Sequence, residues 1–248
     1  MLDTLLGYAQ VLPGVATQVA PYFAGYAALF LSAWILGPRL FPSCAALDDP
    51  GRGYWSSSAM SMVNGFILSY MCLTECASSG IHLTSDFHFT TPSSYRIVHC
   101  LLGYILVDLC ALLKWRKAWK PWVYFLHHGL AIWGYVACSA HGICHNCAVP
   151  VVLAEGTAPF ANGRWFLSTA KLKQTTLYNV NGVMILVSWF FLRVYLLGWL
   201  GWQRLHVQSD TFFALGQPTV AAFLTCFALG YALQVWRDHT LQKESLSR

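Results

Sequence analysis

The 248-residue sequence contains little charge, because Asp, Glu, Lys and Arg make up only 10% of it, against about 25% in a typical soluble domain. So few charged groups cannot cover a surface that faces water. Hydrophobic residues account for 56% of the chain and aromatic residues for 15%, and the mean hydropathy is +0.49. Lipid must therefore be the main solvent, and we predict an all-α membrane protein.

Other features that the sequence lacks exclude further classes of protein. The net charge of +5 comes from short clusters between apolar runs, so a nucleic-acid partner is not expected. Residues 214–236 contain no lysine, although a retinal protein carries one in its last helix. The third apolar run ends in Leu-Leu-Lys-Trp, at residues 112–115, and not in the Asp-Arg-Tyr of a receptor. We find no cleavable signal peptide, repeat or low-complexity tract.

About 20 mostly apolar residues are needed to cross a bilayer as a helix. This criterion predicts about seven spans, near residues 19–40, 58–78, 97–114, 122–140, 146–162, 177–200 and 214–236. Because the fifth contains Pro150 and Pro159, we expect it to be short and kinked. The chain then divides into an N-terminal part with the first helix (1–57), a membrane domain (58–236) and a C-terminal tail (237–248).

Lysine and arginine residues between the runs predict the orientation. If the loop at 114–120 is cytosolic, twelve cationic residues lie on the cytosolic side and two, Arg96 and Arg204, on the other, while Arg193 lies within a span. Cationic residues concentrate on the cytoplasmic side of a membrane. We therefore predict a lumenal N-terminus and a cytosolic C-terminus.

Three of the predicted spans carry ionisable residues at one depth. At 1.5 Å of rise per residue, Asp108, the pair His127-His128 and Glu155 each lie about 8–10 Å from the cytosolic ends of their helices. Inserting such groups costs roughly 2.5–3.5 kcal/mol each, so each needs a reason to be there. Adjacent residues on a helix point about 100° apart, so one histidine can face a cavity while a carboxylate orients the other. We take these four residues as candidate catalytic groups.

Two further patterns have a structural interpretation. Glu75 and Arg193 lie at similar depth near the lumenal ends of their spans, and we expect a buried ion pair between them. The segment from His141 to Cys147 contains Cys-x2-Cys with flanking histidines, which is the spacing of a zinc site. Its lumenal position favours a local disulfide or free thiols instead, so we predict neither a metal nor a bound cofactor.

Three sequence pieces together resemble the TLC-domain family of ceramide synthase-related membrane proteins, and most closely its TLC-domain-containing protein 4 branch. They are Gly103-Tyr104 with Asp108, then Phe125-Leu126-His127-His128, then the stretch from Glu155 to Phe166 that is followed by Tyr178, Asn181 and Arg193. The resemblance covers roughly residues 58–236.

The resemblance implies that six helices form a barrel-like bundle around a lipid cavity, with one additional helix before them. It places the histidine pair and Asp108 at the cavity and implies an endoplasmic reticulum location. In ceramide synthases the corresponding histidines serve acyl transfer from acyl-CoA to a sphingoid amine. Five residues near these motifs are then candidate contacts for lipid or substrate: Tyr104, Asn162, Arg164, Asn181 and Arg193.

Two functions follow from these expectations. The first is a histidine-dependent acyltransferase that uses acyl-CoA as donor and a membrane lipid or sphingoid base as acceptor. The second is a non-catalytic protein that binds or senses sphingolipid or phospholipid and so regulates membrane acyl-chain composition. This sequence departs from the synthase pattern, because the single Glu155 stands where synthases carry a set of acids, and that departure favours the second.

Overall fold

The computed structural model describes the backbone of residues 2–120 and 122–205, and the side chains of residues 12–120 and 122–201. All regular structure in this part of the chain is helical. The helices are α1 (Leu2–Leu40), α2 (Pro42–Ala45), α3 (Asp49–Ser79), α4 (Pro92–Lys114), α5 (Arg116–Trp119), α6 (Trp122–His141), α7 (His145–Val152), α8 (Ala158–Thr169), α9 (Thr176–Trp189) and α10 (Leu196–Leu205). The predicted seventh span, 214–236, lies outside the described residues.

Three described helical segments are long and apolar enough to cross a membrane: Leu12–Leu40, Pro92–Lys114 and Thr176–Gly201. They confirm the membrane character of the chain. Helix α3 is longer than α4 but less apolar, since it carries Glu75, Asn64 and three consecutive serines at 56–58. The full count of seven spans and the barrel-like arrangement stay predictions.

Side-chain caps set the start of several helices. Asp48 accepts a hydrogen bond from the backbone N–H of Gly51 and begins α3. Thr91 and Ser94 form a reciprocal capping box at the start of α4, where Pro92 occupies the first turn. These contacts satisfy backbone N–H groups that the first turn of a helix leaves without partners.

The predicted fifth span, expected to be short and kinked, is interrupted by irregular helix. Helix α7 passes into a 3-10 turn over Leu153–Thr157, and α8 follows directly with Pro159 in its first turn. Proline has no N–H to donate and is tolerated at that position. A second irregularity was not predicted: the helix that begins as α9 widens into a π-helical segment over Phe190–Tyr195 before it continues as α10.

Glycines allow two close helix contacts. Helix α1 packs on α3 and α4, and a Cβ at Gly103 would lie 2.6 Å from the Tyr22 Cβ and 2.7 Å from the Phe23 nitrogen. On α3, a Cβ at Gly65 would lie 2.7 Å from the carbonyl oxygen of Glu155. The interior between these helices is filled by residues such as Met60, Leu68, Ile97, Leu102 and Val149.

Gly103→Ala is expected to destabilise the fold by about 1–3 kcal/mol, since the backbone of α1 would have to move. Gly129→Ala on α6 is the matched control, because nothing lies within 4 Å of its added Cβ. There alanine is expected to stabilise by up to about 1 kcal/mol through helix propensity. Denaturant unfolding in micelles measures both changes, and equal effects of the two substitutions would contradict the close packing of α1 on α4.

Candidate functional site

The candidate catalytic histidine pair lies on α6, beside Asp108 of α4. Nε2 of His128 is 2.9 Å from Oδ2 of Asp108, and Nδ1 of His128 is 2.8 Å from the carbonyl oxygen of Tyr124. Both residues of this contact are buried, with Asp108 at 8% and His128 at 6% exposure. The other carboxylate oxygen, Oδ1, accepts a hydrogen bond from the hydroxyl of Ser57 on α3.

These contacts leave His128 without a ring nitrogen for a substrate. A carbonyl oxygen only accepts, so Nδ1 of His128 carries a hydrogen and donates it to Tyr124. The contact between Nε2 and Oδ2 then holds one proton, whichever of the two atoms is its donor. Asp108 is satisfied from two helices at once, which ties α3, α4 and α6 together at this level.

His127 has a different environment. Its ring centroid is 5.6 Å from that of His128, and the two ring planes are inclined by 79°. Nδ1 of His127 is buried and has no hydrogen-bond partner among the described residues. Buried polar atoms are nearly always paired in folded proteins, and exceptions concentrate at sites of chemistry or at bound water and ions. The two adjacent histidines are therefore not equivalent.

Glu155 is carried by the 3-10 turn between α7 and α8. It is half-buried and interacts electrostatically with Arg193, His128 and Asp108. The turn is fixed by α3, because Gly65 lies against the carbonyl oxygen of Glu155 and Ser69 lies against Gly156. The structure thus brings Glu155 into one region with the histidine pair and Asp108.

Arg193 lies in the π-helical segment and reaches across to the same turn. Its Nε donates to Oγ1 of Thr157 at 3.1 Å and its Nη2 donates to the carbonyl oxygen of Ala154 at 3.2 Å. The guanidinium also lies over the Trp189 ring, 4.9 Å from the centroid. Arg193 therefore joins the two irregular helical segments of the fold.

The expected ion pair between Glu75 and Arg193 is wrong. Oε1 of Glu75 accepts a hydrogen bond of 2.6 Å from the hydroxyl of Thr91, the residue that caps α4. Arg193 bonds instead to the turn that carries Glu155. The hydroxyl of Thr91, which follows α3 along the chain, lies nearer to Glu75 than the guanidinium of Arg193 on a distant helix. Depth in the membrane alone could not show which of the two residues would be the partner of Glu75.

Tyr104 lies one turn above Asp108 on α4 and belongs to a polar column between α1, α3 and α4. Its hydroxyl donates to Oγ of Ser61 at 3.1 Å, and its ring meets the edge of the Tyr26 ring at 5.7 Å. The Tyr26 hydroxyl in turn donates to Oδ1 of Asn64 at 2.7 Å. Ser57, Ser61 and Asn64 escaped the sequence analysis, although polar residues repeating along α3 were a signal for them. Tyr26, on α1, escaped it as well.

The remaining candidate lipid contacts lie between α8 and α9. Asn181 donates through Nδ2 to the carbonyl oxygen of Phe160 at 2.8 Å. Arg164 donates to the carbonyl oxygen of Tyr178 and lies over the ring of the same tyrosine, 4.0 Å from its centroid. Asn162 is half-buried on α8. Arg164 and Asn181 thus join two helices, away from the contacts that hold the histidine pair.

At the opposite end of α6, the segment that suggested zinc is built into the fold. Nδ1 of His145 is 2.8 Å from Oγ of Ser94, and Nε2 is 3.2 Å from the carbonyl oxygen of Cys138. Because both of its ring nitrogens bond to the protein, His145 has none for a metal ion. Its contacts connect α7 with the capping box of α4.

Tryptophan and tyrosine rings surround the end of the bundle where α4 meets α6. The Trp115 indole donates to Oδ2 of Asp49 at 2.7 Å and stacks on Trp119 with a centroid distance of 5.2 Å. Lys114 lies over the rings of Trp34 and Trp115. Such aromatic and cationic residues are typical of a membrane–water interface. The described part of the chain thus belongs to a helical membrane protein and contains a buried contact between an acid and a histidine.

Comparison with known proteins agrees with this class. The profile of the TLC domain matches residues 54–237, and the chain belongs to the TLC domain family. It is 25% identical over 180 residues to TLC domain-containing protein 4 A of Dictyostelium discoideum, covering 68% of each chain. It is 23% identical over 171 residues to human TLC domain-containing protein 4, covering 66% of this chain and 63% of the relative.

A third relative is TLC domain-containing protein 1 of Gallus gallus, 24% identical over 184 residues and 73% of either chain. The chain thus spans about two thirds of the length of the first curated relatives that it matches. No solved structure matches the chain. The family resemblance seen in the sequence is confirmed.

Proposed function

We propose that this protein is a membrane acyltransferase that moves a fatty acyl group from acyl-CoA to an amine or hydroxyl of a membrane lipid or sphingoid base. The observation that supports the proposal is the buried Nδ1 of His127, which has no hydrogen-bond partner among the described residues, beside a His128 whose nitrogens are both engaged. Nucleophilic and basic groups act in chemistry only when a lone pair is available to the substrate. His127 meets that condition and His128 does not.

In the proposed reaction the His127 ring attacks the thioester carbonyl of acyl-CoA. The carbon–sulfur bond breaks, and the CoA thiolate leaves with the proton of the ring, so that an acyl-imidazole remains. The acceptor amine or hydroxyl then attacks this acyl group and the bond to the ring breaks. Glu155 carries the acceptor's proton back to the ring, while the Asp108 carboxylate stabilises positive charge on the His127 ring and His128 packs beside that ring.

The test uses full-length protein in lipid nanodiscs, incubated with radiolabelled acyl-CoA and no acceptor. A label that stays on the protein after denaturation, and that is missing from a His127→Gln variant, supports the proposal. Product formation is then measured with sphingoid bases and with lysophospholipids. If neither a labelled protein nor a product is found with any of these acceptors, the proposed acyl transfer is wrong.

A second candidate is a non-catalytic lipid-binding or lipid-sensing protein that regulates membrane acyl-chain composition. The observation in its favour is that a single acid, Glu155, stands where ceramide synthases carry several. This candidate predicts that sphingolipid or phospholipid co-purifies with the protein and that His127→Gln fully rescues the lipid profile of deletion cells. Lipidomics of deletion, wild-type and variant cells separates the two functions.

For either function we propose that the protein resides in the endoplasmic reticulum with its N-terminus in the lumen and its C-terminus in the cytosol. Twelve of the fifteen Lys and Arg residues then lie on the cytosolic side. Glycosylation acceptors introduced at either terminus test this orientation, since only a lumenal acceptor becomes glycosylated.

A further inference from the structure

Asp108 is the residue that connects the histidine pair to the rest of the bundle, and it is held by two donors on two different helices. His128 on α6 bonds to one carboxylate oxygen, and Ser57 on α3 bonds to the other. A carboxylate with a single partner can turn about its last torsion angle, which is broad and roughly two-fold. A second donor fixes the plane of the group and thereby the direction in which Oδ2 accepts.

Ser57 is one of three consecutive serines, and its neighbour makes a different contact. The hydroxyl of Ser56 donates to the carbonyl oxygen of Arg52, one turn earlier on the same helix, at 2.9 Å. That contact is local, since serine hydroxyls often bond to the i−4 carbonyl within a helix. The Ser57 hydroxyl bonds instead to a residue 51 positions away in the sequence.

We propose that Ser57 is a positioning residue for the histidine pair: its hydroxyl fixes the Asp108 carboxylate, which in turn holds the His128 ring between Asp108 and Tyr124. Ser57 itself need not touch the substrate. By fixing Asp108, Ser57 also fixes the His128 ring, and the His127 ring lies beside it with the two ring centroids 5.6 Å apart. The consequence for catalysis rests on the proposed acyl transfer, whereas the effect on the His128 ring does not.

The first experiment therefore needs no activity. Full-length protein in nanodiscs is treated with diethyl pyrocarbonate, which acylates imidazole nitrogens that are not engaged, and modification is followed by peptide mass spectrometry. A His127→Gln background makes any modification of the dipeptide report on His128 alone. With Ser57 present, His128 is expected to be protected by its two hydrogen bonds.

In this background Ser57→Ala is expected to raise the modification rate of His128 about tenfold. Ser56→Ala, the same deletion one residue away, is expected to leave it unchanged, and Ser57→Thr, which keeps a hydroxyl, is expected to restore protection. Asp108→Ala, which removes both carboxylate oxygens, serves as the positive control for a released ring. Protection that persists in Ser57→Ala but is lost in Asp108→Ala would overturn the proposal.

Two further measurements distinguish a positioning role of Ser57 from a general loss of stability, and distinguish that role from the proposed acyl transfer. The apparent melting temperature of Ser57→Ala is expected to lie only slightly below that of Ser56→Ala, because the Ser57 hydroxyl bonds to another helix and the Ser56 hydroxyl bonds within its own. A His128 ring that is released while the protein still unfolds in one transition is then a specific effect. In the His127-containing protein, Ser57→Ala is expected to lower kcat for acyl transfer about tenfold with little change in KM. If the wild type transfers no acyl group while the ring protection behaves as expected, the proposed function fails and the positioning role stands.

Discussion

Replacing His127 by Gln is expected to lower acyl transfer by about 10³-fold or more, because the only other described histidine at the site, His128, has both ring nitrogens engaged. Stability is expected to stay within about 0.5 kcal/mol of the wild type, since His127 makes no hydrogen bond to the described residues that the substitution would break. Single-turnover transfer from labelled acyl-CoA and denaturant unfolding in micelles provide the two readings.

The activity of His127→Gln has to be compared with its stability. A His127→Gln protein that transfers acyl groups at the wild-type rate would remove His127 from the chemistry. A variant that loses activity only because it unfolds would show that His127 is structural. Loss of transfer in a protein of unchanged stability is the outcome that separates a nucleophile from a packed residue.

His128→Leu is expected to destabilise the protein by about 3–5 kcal/mol, because it leaves the buried Asp108 carboxylate with Ser57 as its one partner among the described residues. The same substitution one residue earlier, His127→Leu, is the matched control and is expected to cost little. Unfolding in micelles by a denaturing detergent measures both. The comparison of the two variants tests, without any activity measurement, whether His128 stabilises the fold and His127 does not.

Removing the partner charge tests the cause. The double variant Asp108→Leu with His128→Leu is expected to recover most of the lost stability, since apolar residues that replace both members of a buried pair are often neutral or stabilising. A double variant no more stable than His128→Leu alone would mean that the loss came from packing and not from an uncompensated charge.

Much of the site could be predicted because ionisable residues are expensive in a membrane and therefore conspicuous in an apolar sequence. Their depth along each helix located Asp108, the histidine pair and Glu155 in one region. Depth says nothing about rotation about the helix axis, and rotation decides which neighbour a side chain meets. For this reason the two histidines could not be distinguished beforehand, and Glu75 was paired with the wrong residue.

The partners of Asp108 and Tyr104 were missed for a related reason. Serine is small and uncharged, and inserting it into a membrane costs little free energy. Ser57 and Ser61 therefore did not stand out as candidate site residues on a predicted membrane-spanning helix. The 3-10 turn and the π-helical segment were equally hard to foresee, because both arise from packing between segments 30 to 40 residues apart, as the contacts of Arg193 with Thr157 and Ala154 illustrate.

The π-helical segment at Phe190–Tyr195 also determines how this chain tolerates changes in length. Such a segment accommodates one residue more than the α-helix around it. Deleting a single residue there would let the helix close into a regular α-helix, and α10 would keep its orientation relative to α9. A deletion within the regular part of α9 would instead turn everything that follows by about 100°. The chain therefore tolerates the loss of one residue at the π-helical segment better than in the α-helical turns on either side of it.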